Sequence, residues 1–418
     1  MPLKHRFLTA VCLLIFVTSL QAQINITAGR YIEVAGARFV DHLYLFDDLS
    51  NVEVTYVGSG TPTFYLLGDN TPVCSGTTSC SQFEDGGTYV VRTNSDSIVF
   101  AVFDYSRHAA IFHDLSVDDD NPTPCDNVRL TLTSQQQGLT YPTYYGPQTI
   151  VTPMSLCWNT LEWSEGERKW VTKPQCMQLE ATTSPLHIAT TSAPLCDTYF
   201  TINDIYADSL QMEDSLRTDD AYTAVAVAAH ITTVTVARTD SNEVNRPDSA
   251  ALQGSGPLDI EFRANPTPAA RYFEWKIRKS SDLLAQRSDE NHRYTFTESG
   301  AYNVGLTVSN GEMCSVAVDS VNITVNESII DVPNVFTPNG DGLNDEFRVA
   351  YRSLKQFDCW VYNRWGKLVY HWSDPQRGWD GKINGRDAAP GAYFYIIRAT
   401  GSDGQKYKLS GDINIIGR

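Results

Sequence analysis

The stretch YTFTESGAYNVGLTVSNGEMC, Tyr294 to Cys314, sets Val304, Leu306 and Val308 at every second position behind the turn signal TESG. A two-residue period puts those side chains on one face of an extended strand. The same alternation recurs far from this stretch, at Val52, Val54 and Tyr56, at Val128, Leu130 and Leu132, and at Leu258, Ile260 and Phe262. Patterns with a helical period are scarce. Turn signals such as GSGTP, LGDNTP and EDGG separate the alternating runs at spacings that suit antiparallel sandwiches rather than helix-connected parallel sheets. The expected fold class is therefore all-β, with immunoglobulin-like β-sandwich domains in series.

The ends of the chain frame this series. Residues 1–22 carry a basic start at Lys4 and Arg6, an apolar stretch from Phe7 to Val17 and a small residue at Ala22, the pattern of a cleavable signal peptide. No later segment approaches the length of apolar chain needed to cross a bilayer as a helix, so no integral membrane span is expected. Removing 22 of 418 residues leaves 396, enough for two to four domains at roughly 100 to 200 residues each. The polar run VDDDNPTPC, Val117 to Cys125, follows the apolar Ile98 to Phe103 and marks one boundary. The segment Arg238 to Gly256 reads as a linker, and Asn326 marks a third change of character. The expected domains are 23–118, 119–245 with four cysteines, 246–326, and 327–418.

Charge is distributed unevenly. The formal balance of -17 includes Lys4 and Arg6, so the chain after residue 22 stands at -17 minus 2, or -19. Residues 331–418 hold twelve Lys and Arg against ten Asp and Glu, which leaves the acidity upstream. Such a balance disfavours nucleic acid and anionic lipid as partners. Of the nine cysteines Cys12 lies in the apolar stretch, and the even remainder in an exported chain points to disulfides. Cys74 and Cys80 enclose a short polar loop. Cys125, Cys157, Cys176 and Cys196 allow three connectivities, of which Cys125 with Cys196 and Cys157 with Cys176 is preferred. Cys314 and Cys359 stand alone and read as buried thiols.

The last segment carries VPNVFTPNGDGLNDEF (Val332 to Phe347), VYNRWGKLVY (Val361 to Tyr370), GWDGKINGRDAAPGAYFYIIRATG (Gly378 to Gly401) and DGQKYKLSGDINIIGR (Asp403 to Arg418). It resembles the gliding-motility-associated C-terminal domain, the type B sorting domain of the Bacteroidetes type IX secretion system. In the first motif the residues concerned are Pro333, Asn334, Phe336, Thr337, Pro338, Asn339, Gly340, Asp341, Gly342, Asn344 and Asp345. In the second they are Asn363, Arg364, Trp365 and Gly366, and in the third Gly378, Trp379, Asp380, Gly381, Gly391 and Tyr393. The resemblance implies export through the periplasm to the cell surface or medium, with the type IX translocon and sortase as partners. The preceding segment, with GPLDIEFRANP, YFEWKI and Trp275 as its expected buried strand residue, is similar to a PKD domain, although RKSSDLLAQRSDEN replaces that family's usual acidic, glycine-rich turn.

Candidate chemistry is sparse. Asn334, Asn339, Asp341, Asn344 and Asp345 surround Gly340 and Gly342, a spacing that lets side-chain oxygens stitch an Asx turn or hold a hard cation such as calcium. The turn is the simpler arrangement, and no cofactor is expected. Trp365, Trp379 and Tyr362 read as core and turn packing. His108, His113, Asp114 and Asp118 to Asp120 form the densest set of metal-ligand types, but their spacing suits no single strand face. Glu162, Glu165 and Glu167 among Trp158, Trp163 and Trp170 could serve a sugar substrate, although a hairpin turning at Glu165 and Gly166 accounts for the same residues. Asp-Ser-apolar triplets resemble an O-glycosylation sequence, with Ser209, Ser215 and Ser249 in polar stretches. No GxSxG, HExxH or SxxK motif stands in a suitable context. The reading that follows is a non-enzymatic exported protein whose upstream domains bind an unknown protein or glycan partner. The alternatives are an accessory or signalling component of the secretion system, and a hydrolase with an unrecognised site.

Overall fold

A computed structural model describes residues 23–417 apart from 70, 181–182, 213–214 and 312–313. The expected signal peptide, residues 1–22, lies outside the described residues. Strands dominate throughout, and they form four successive sandwiches.

In the first, a six-stranded sheet runs in the order Tyr31–Glu33, His42–Phe46, Ser97–Asp104, Thr88–Arg92, Thr63–Leu66 and Pro72–Ser75. It faces a three-stranded sheet of Gln23–Ala28, Glu53–Val57 and Ser79–Cys80. The strand Ser97–Asp104 is almost continuously apolar because both of its faces are covered. Ile98, Phe100 and Val102 point into the sandwich core, whereas Ala101 and Phe103 point into a second cluster with Leu139, Tyr141, Ala207 and Leu210 from the next domain.

The second sandwich packs Ile111–Val117, Arg129–Gln135 and Leu186–Ala189 against Lys169–Glu180, Pro153–Ser164, Thr201–Asp204 and Ser215–Arg217. Its first strand pairs with Arg129–Gln135, so the sandwich begins before the expected boundary at residue 118. The polar run after Val117 is a turn within this domain rather than a linker between domains. At the junction with the first sandwich the carboxylate of Asp204, fully buried, accepts from Tyr105 Oη (2.8 Å), Ala110 N (2.9 Å), Tyr206 N (2.9 Å) and Ala207 N (3.1 Å). A buried carboxylate is tolerable only with its acceptor sites filled in this way.

The third sandwich sets Thr232–Thr235, Leu258–Arg263 and Asn291–Phe296 against a five-stranded sheet ordered Gln253–Gly254, Ser315–Val325, Gly300–Ser309, Tyr272–Lys279 and Asp282–Arg287. Trp275 is fully buried in its core, and its indole N–H donates to Asp289 O at 3.0 Å. The strand Thr232–Thr235 lies upstream of the expected start at 246, yet it pairs with Leu258–Arg263. The intervening segment, expected to be a linker, is ordered and hydrogen-bonded. The fourth sandwich has a five-stranded sheet ordered Val335–Phe336, Lys406–Ile415, Gly391–Gly401, Leu354–Tyr362 and Leu368–Trp372, with Ile329–Asp331 paired to Ala350–Arg352.

Three disulfides join Cys74 to Cys80, Cys157 to Cys176, and Cys125 to Cys314. The last corrects the expected Cys125–Cys196 pair and the expected free thiol at Cys314. Cys125 packs against the core of the third sandwich, where Cys314 is buried, while Cys196 sits as a thiol near Asn159 O. A bond across 189 positions removes about 5 kcal/mol of unfolded-chain entropy on the chain-entropy model. Denatured without reductant, the chain from residue 23 should take thiol label at Cys196 and Cys359 alone, with six further sites appearing after reduction. Peptide mapping that finds label on Cys125 or Cys314 before reduction would rule the connectivity out.

Candidate functional site

The C-terminal sandwich gathers most of the residues singled out in the sequence, and it uses them as architecture. Val335–Phe336 adds in parallel to the end of the strand Lys406–Ile415, and Phe336 is buried against Phe347 and Trp379. Asn334 O accepts from Asn414 N at 2.9 Å. Pro333 precedes this strand, and Pro338 leaves it across the turn at Gly381, 3.0 Å from where a side chain at Gly381 would begin.

From Thr337 to Asp345 the chain makes a tight loop closed by Thr337 N to Asn344 O at 2.8 Å. Gly340 and Gly342 have φ of +78° and +86°, a region costly for residues with a Cβ. Their amides converge on one carboxylate, Asp345, at 2.6 and 2.7 Å. Asp341 accepts from Asn339 Nδ2 at 2.9 Å and from Leu343 N at 2.8 Å, and these bonds hold its pKa below the ordinary aspartate value. Both carboxylates thus face N–H donors. The loop is an Asx-stitched turn.

The other motif residues fall into turns and core. Asn363 Oδ1 accepts from Trp365 N (3.1 Å) and Lys367 N (3.0 Å), closing the hairpin that Gly366 turns. Trp365 departs from the packing expected of it: it is 78% exposed at the hairpin tip, with the Arg364 guanidinium 5.0 Å from its ring centroid. Trp379 is fully buried among Phe336, Tyr370 and Tyr393, and its indole N–H donates to Lys382 O at 2.8 Å. Its backbone exchanges hydrogen bonds with Phe347, which brings the chain so close that a Cβ on Gly378 would lie 2.6 Å from Phe347 O. Asp380 caps Lys382 N at 3.0 Å, Gly391 opens the central strand, and the Tyr393 hydroxyl donates to Ala389 O at 3.0 Å.

Ser328, where the chain enters this domain, donates from its backbone and hydroxyl to Asp403 at 2.8 to 2.9 Å. Burial acts to raise the Asp403 pKa, but the Gln405 and Ser328 donors outweigh it and hold the carboxyl below the ordinary aspartate value.

Elsewhere the structure separates the sequence groupings. His108 bonds Asp85 at 2.9 Å, Asp118 accepts from Thr131, and His113 is exposed. Glu162, Glu165 and Glu167 lie at the end of a long hairpin in which Trp163 sits opposite Trp170. That hairpin docks on the third sandwich: Trp170 Nε1 donates to Asn265 O at 2.8 Å, and Trp163 stacks on His230 with centroids 4.2 Å apart. Glu162 meets Lys173 at 2.7 Å and Glu165 meets His230 at 3.5 Å. Ser209, Ser215 and Ser249 are all exposed, while Asp214, which precedes Ser215, lies outside the described residues. Sequence reading missed a cleft of about 570 Å³ beside the junction of the second and third sandwiches, with Asp114, Asp118, Asp119, Asp219 and Asp220 around Leu115 and Tyr222. Its carboxylates come from two segments a hundred residues apart.

Trp379→Ala should destabilise the C-terminal sandwich by about 3 to 5 kcal/mol, whereas Trp365→Ala should stay within about 0.5 kcal/mol, both read by denaturant unfolding. The depressed Asp403 carboxyl contributes stability in full above the ordinary aspartate range and loses it as pH falls through its folded value. Acid titration of Asp403→Asn should therefore show a shallower loss of stability below about pH 4 than the parent chain.

Two family models match the sequence: the CHU_C type IX secretion signal domain over residues 330–415, and a fibronectin type III domain over residues 116–218. No curated protein matches. Among solved structures, the tetra-tandem repeat in the extending region of a large adhesion protein is 12% identical, covering 88% of this chain and 96% of that one with a TM-score of 0.20. The FN1-FN3 domains of chicken CNTN1 are 11% identical over 73% of this chain and 98% of that one, with a TM-score of 0.25. Dimeric latent PorU from Porphyromonas gingivalis is 10% identical over 88% of this chain and 42% of that one, with a TM-score of 0.17. Scores this low carry no argument about this chain. The C-terminal match, on a sandwich whose motif residues form its turns and core, makes residues 330–415 a type IX secretion signal domain and the chain a substrate that this system exports across the outer membrane to the cell surface or beyond.

Proposed function

We propose that the protein is a non-enzymatic surface or secreted binding protein, in which the C-terminal sandwich serves export and the upstream sandwiches engage a protein or glycan partner. The translocon and sortase of the type IX system are its partners during export. The observation that carries this reading is the division of labour along the chain: the sorting match is confined to residues 330–415, while the acidic upstream sandwiches have a different charge balance.

The non-enzymatic part is supported by the fate of the one grouping that suggested a hydrolase. Trp163 and Trp170 are occupied in docking their hairpin, and Glu162 and Glu165 are paired with Lys173 and His230 rather than facing one another across a cleft. Two catalytic carboxylates need a shared substrate space, about 5 to 10 Å across.

Removing residues 331–418 should leave the protein in the periplasm of a type IX-competent cell, as seen by fractionation and immunoblotting. Recovery of that truncation at the surface or in the medium would overturn the sorting assignment. A pull-down with immobilised protein from residue 23 onward tests the binding half of the proposal.

A further inference from the structure

The segment Arg238 to Gly256, polar enough to pass for a linker, is instead the tie between the third sandwich and the sorting domain. Its chemistry is that of an interior. Glu243 has a side chain 1% exposed and is clasped by Arg238 through Nε (2.8 Å) and Nη2 (2.7 Å), a two-pronged pairing of fixed geometry. The same guanidinium donates to Ser255 O at 2.7 Å and to Pro257 O, so it is anchored on the third sandwich.

From this anchored turn, residues 242–245 reach the sorting domain. Asn242 Nδ2 donates to Val349 O (3.0 Å) and Pro375 O (2.7 Å). On the backbone, Tyr351 N donates to Asn242 O at 3.0 Å and Val244 N to Tyr351 O at 2.7 Å, a parallel bridge between the two domains. Arg352 Nη1 donates to Asn245 Oδ1 at 2.9 Å. A second tie lies alongside: Ser353 N donates to Ser255 Oγ at 2.9 Å, Gly256 N to Ser353 Oγ at 2.8 Å, and both serines are fully buried. The entering chain is itself held, since Ile329–Asp331 is a strand and Ser328 is locked to Asp403.

Buried polar groups of this kind cannot be parted without loss. A sorting domain moving away from the third sandwich would strand Asn242, Val244 N and the Ser255 hydroxyl on one side and Val349 O, Tyr351 and Ser353 on the other, while Arg238 and Glu243 keep the strap's turn in shape. We infer that the functional export signal is larger than the matched residues: the third sandwich, the Arg238–Gly256 strap and the sorting domain form one cooperative body, and the secretion machinery receives that body. Asn242 and Glu243 are positioning residues for export, acting through the placement of the sorting domain. This inference rests on the sorting role proposed above.

Two measurements on the full chain test it. In native-state hydrogen exchange followed by mass spectrometry, peptides covering Leu258–Arg263 and Gly391–Gly401 should open together in one correlated mass shift. Independent opening of the two would overturn the cooperative body. In cells, Asn242→Ala and Ser353→Ala, made separately, should each raise the separately opened population about tenfold, the factor that losing buried hydrogen bonds implies, and lower the exported fraction in step. Trypsin resistance of the first two sandwiches serves as the check on folding. Export of both variants at the parent's level, with exchange showing the two domains uncoupled, would overturn the inference while leaving the sorting role standing. Retention of the parent chain itself in the periplasm would overturn the sorting role instead.

Discussion

Sandwiches placed end to end meet one constraint at every joint: the strand ends and turns that abut carry backbone and side-chain polar groups, and covering them requires that each finds a partner. This chain satisfies the constraint differently at each joint. Between the first and second sandwiches, Asp204 collects four donors beside an apolar cluster shared by both domains. Between the second and third, a hairpin end and a disulfide do the work. Between the third and fourth, the Arg238–Glu243 pair and the exchanged Ser255 and Ser353 bonds fill the space. The series is thereby a connected structure rather than beads on flexible string.

Inside each domain the physics is plainer. Alternation along strands such as Leu258–Arg263 sends Leu258, Ile260 and Phe262 inward and the charged residues outward, and the apolar faces bury one another. The export motifs follow the same logic. Phe336, Trp379 and Tyr393 are core, while Asp345 and Asn363 close loops, so the motif records what the fold needs and leaves the outer surface of the sheet free to differ.

What the sequence conveyed was what local chemistry determines. Period-two alternation gave the strands, and the C-terminal motifs gave the sorting domain. The hairpin over Glu165 and Gly166 was legible from its turn residues. Most of the misread features depend on long-range placement. Val117 to Cys125 has the composition of a linker, yet the strand before it pairs forward across the second sandwich. Cys125 lies nearer in sequence to Cys196 than to Cys314, and only the packing of the third core decides between them. Arg238 and Glu243 are charged residues that sequence statistics put in solvent, and their pairing, with Ser255 O and Pro257 O as further acceptors for Arg238, permits the burial of Glu243. Trp365 went the other way, an aromatic residue held out at a hairpin tip because Asn363 and Gly366 fix the turn.

The bond between Cys125 and Cys314 has a bearing on how the molecule can travel. Once it closes, in a compartment that oxidises thiols, everything from one cysteine to the other becomes a ring of covalently continuous chain. A ring cannot be drawn through a conduit as a single thread. Whatever opening the protein crosses after that moment must admit at least two strands abreast, or the whole girth of the second sandwich with its neighbour attached.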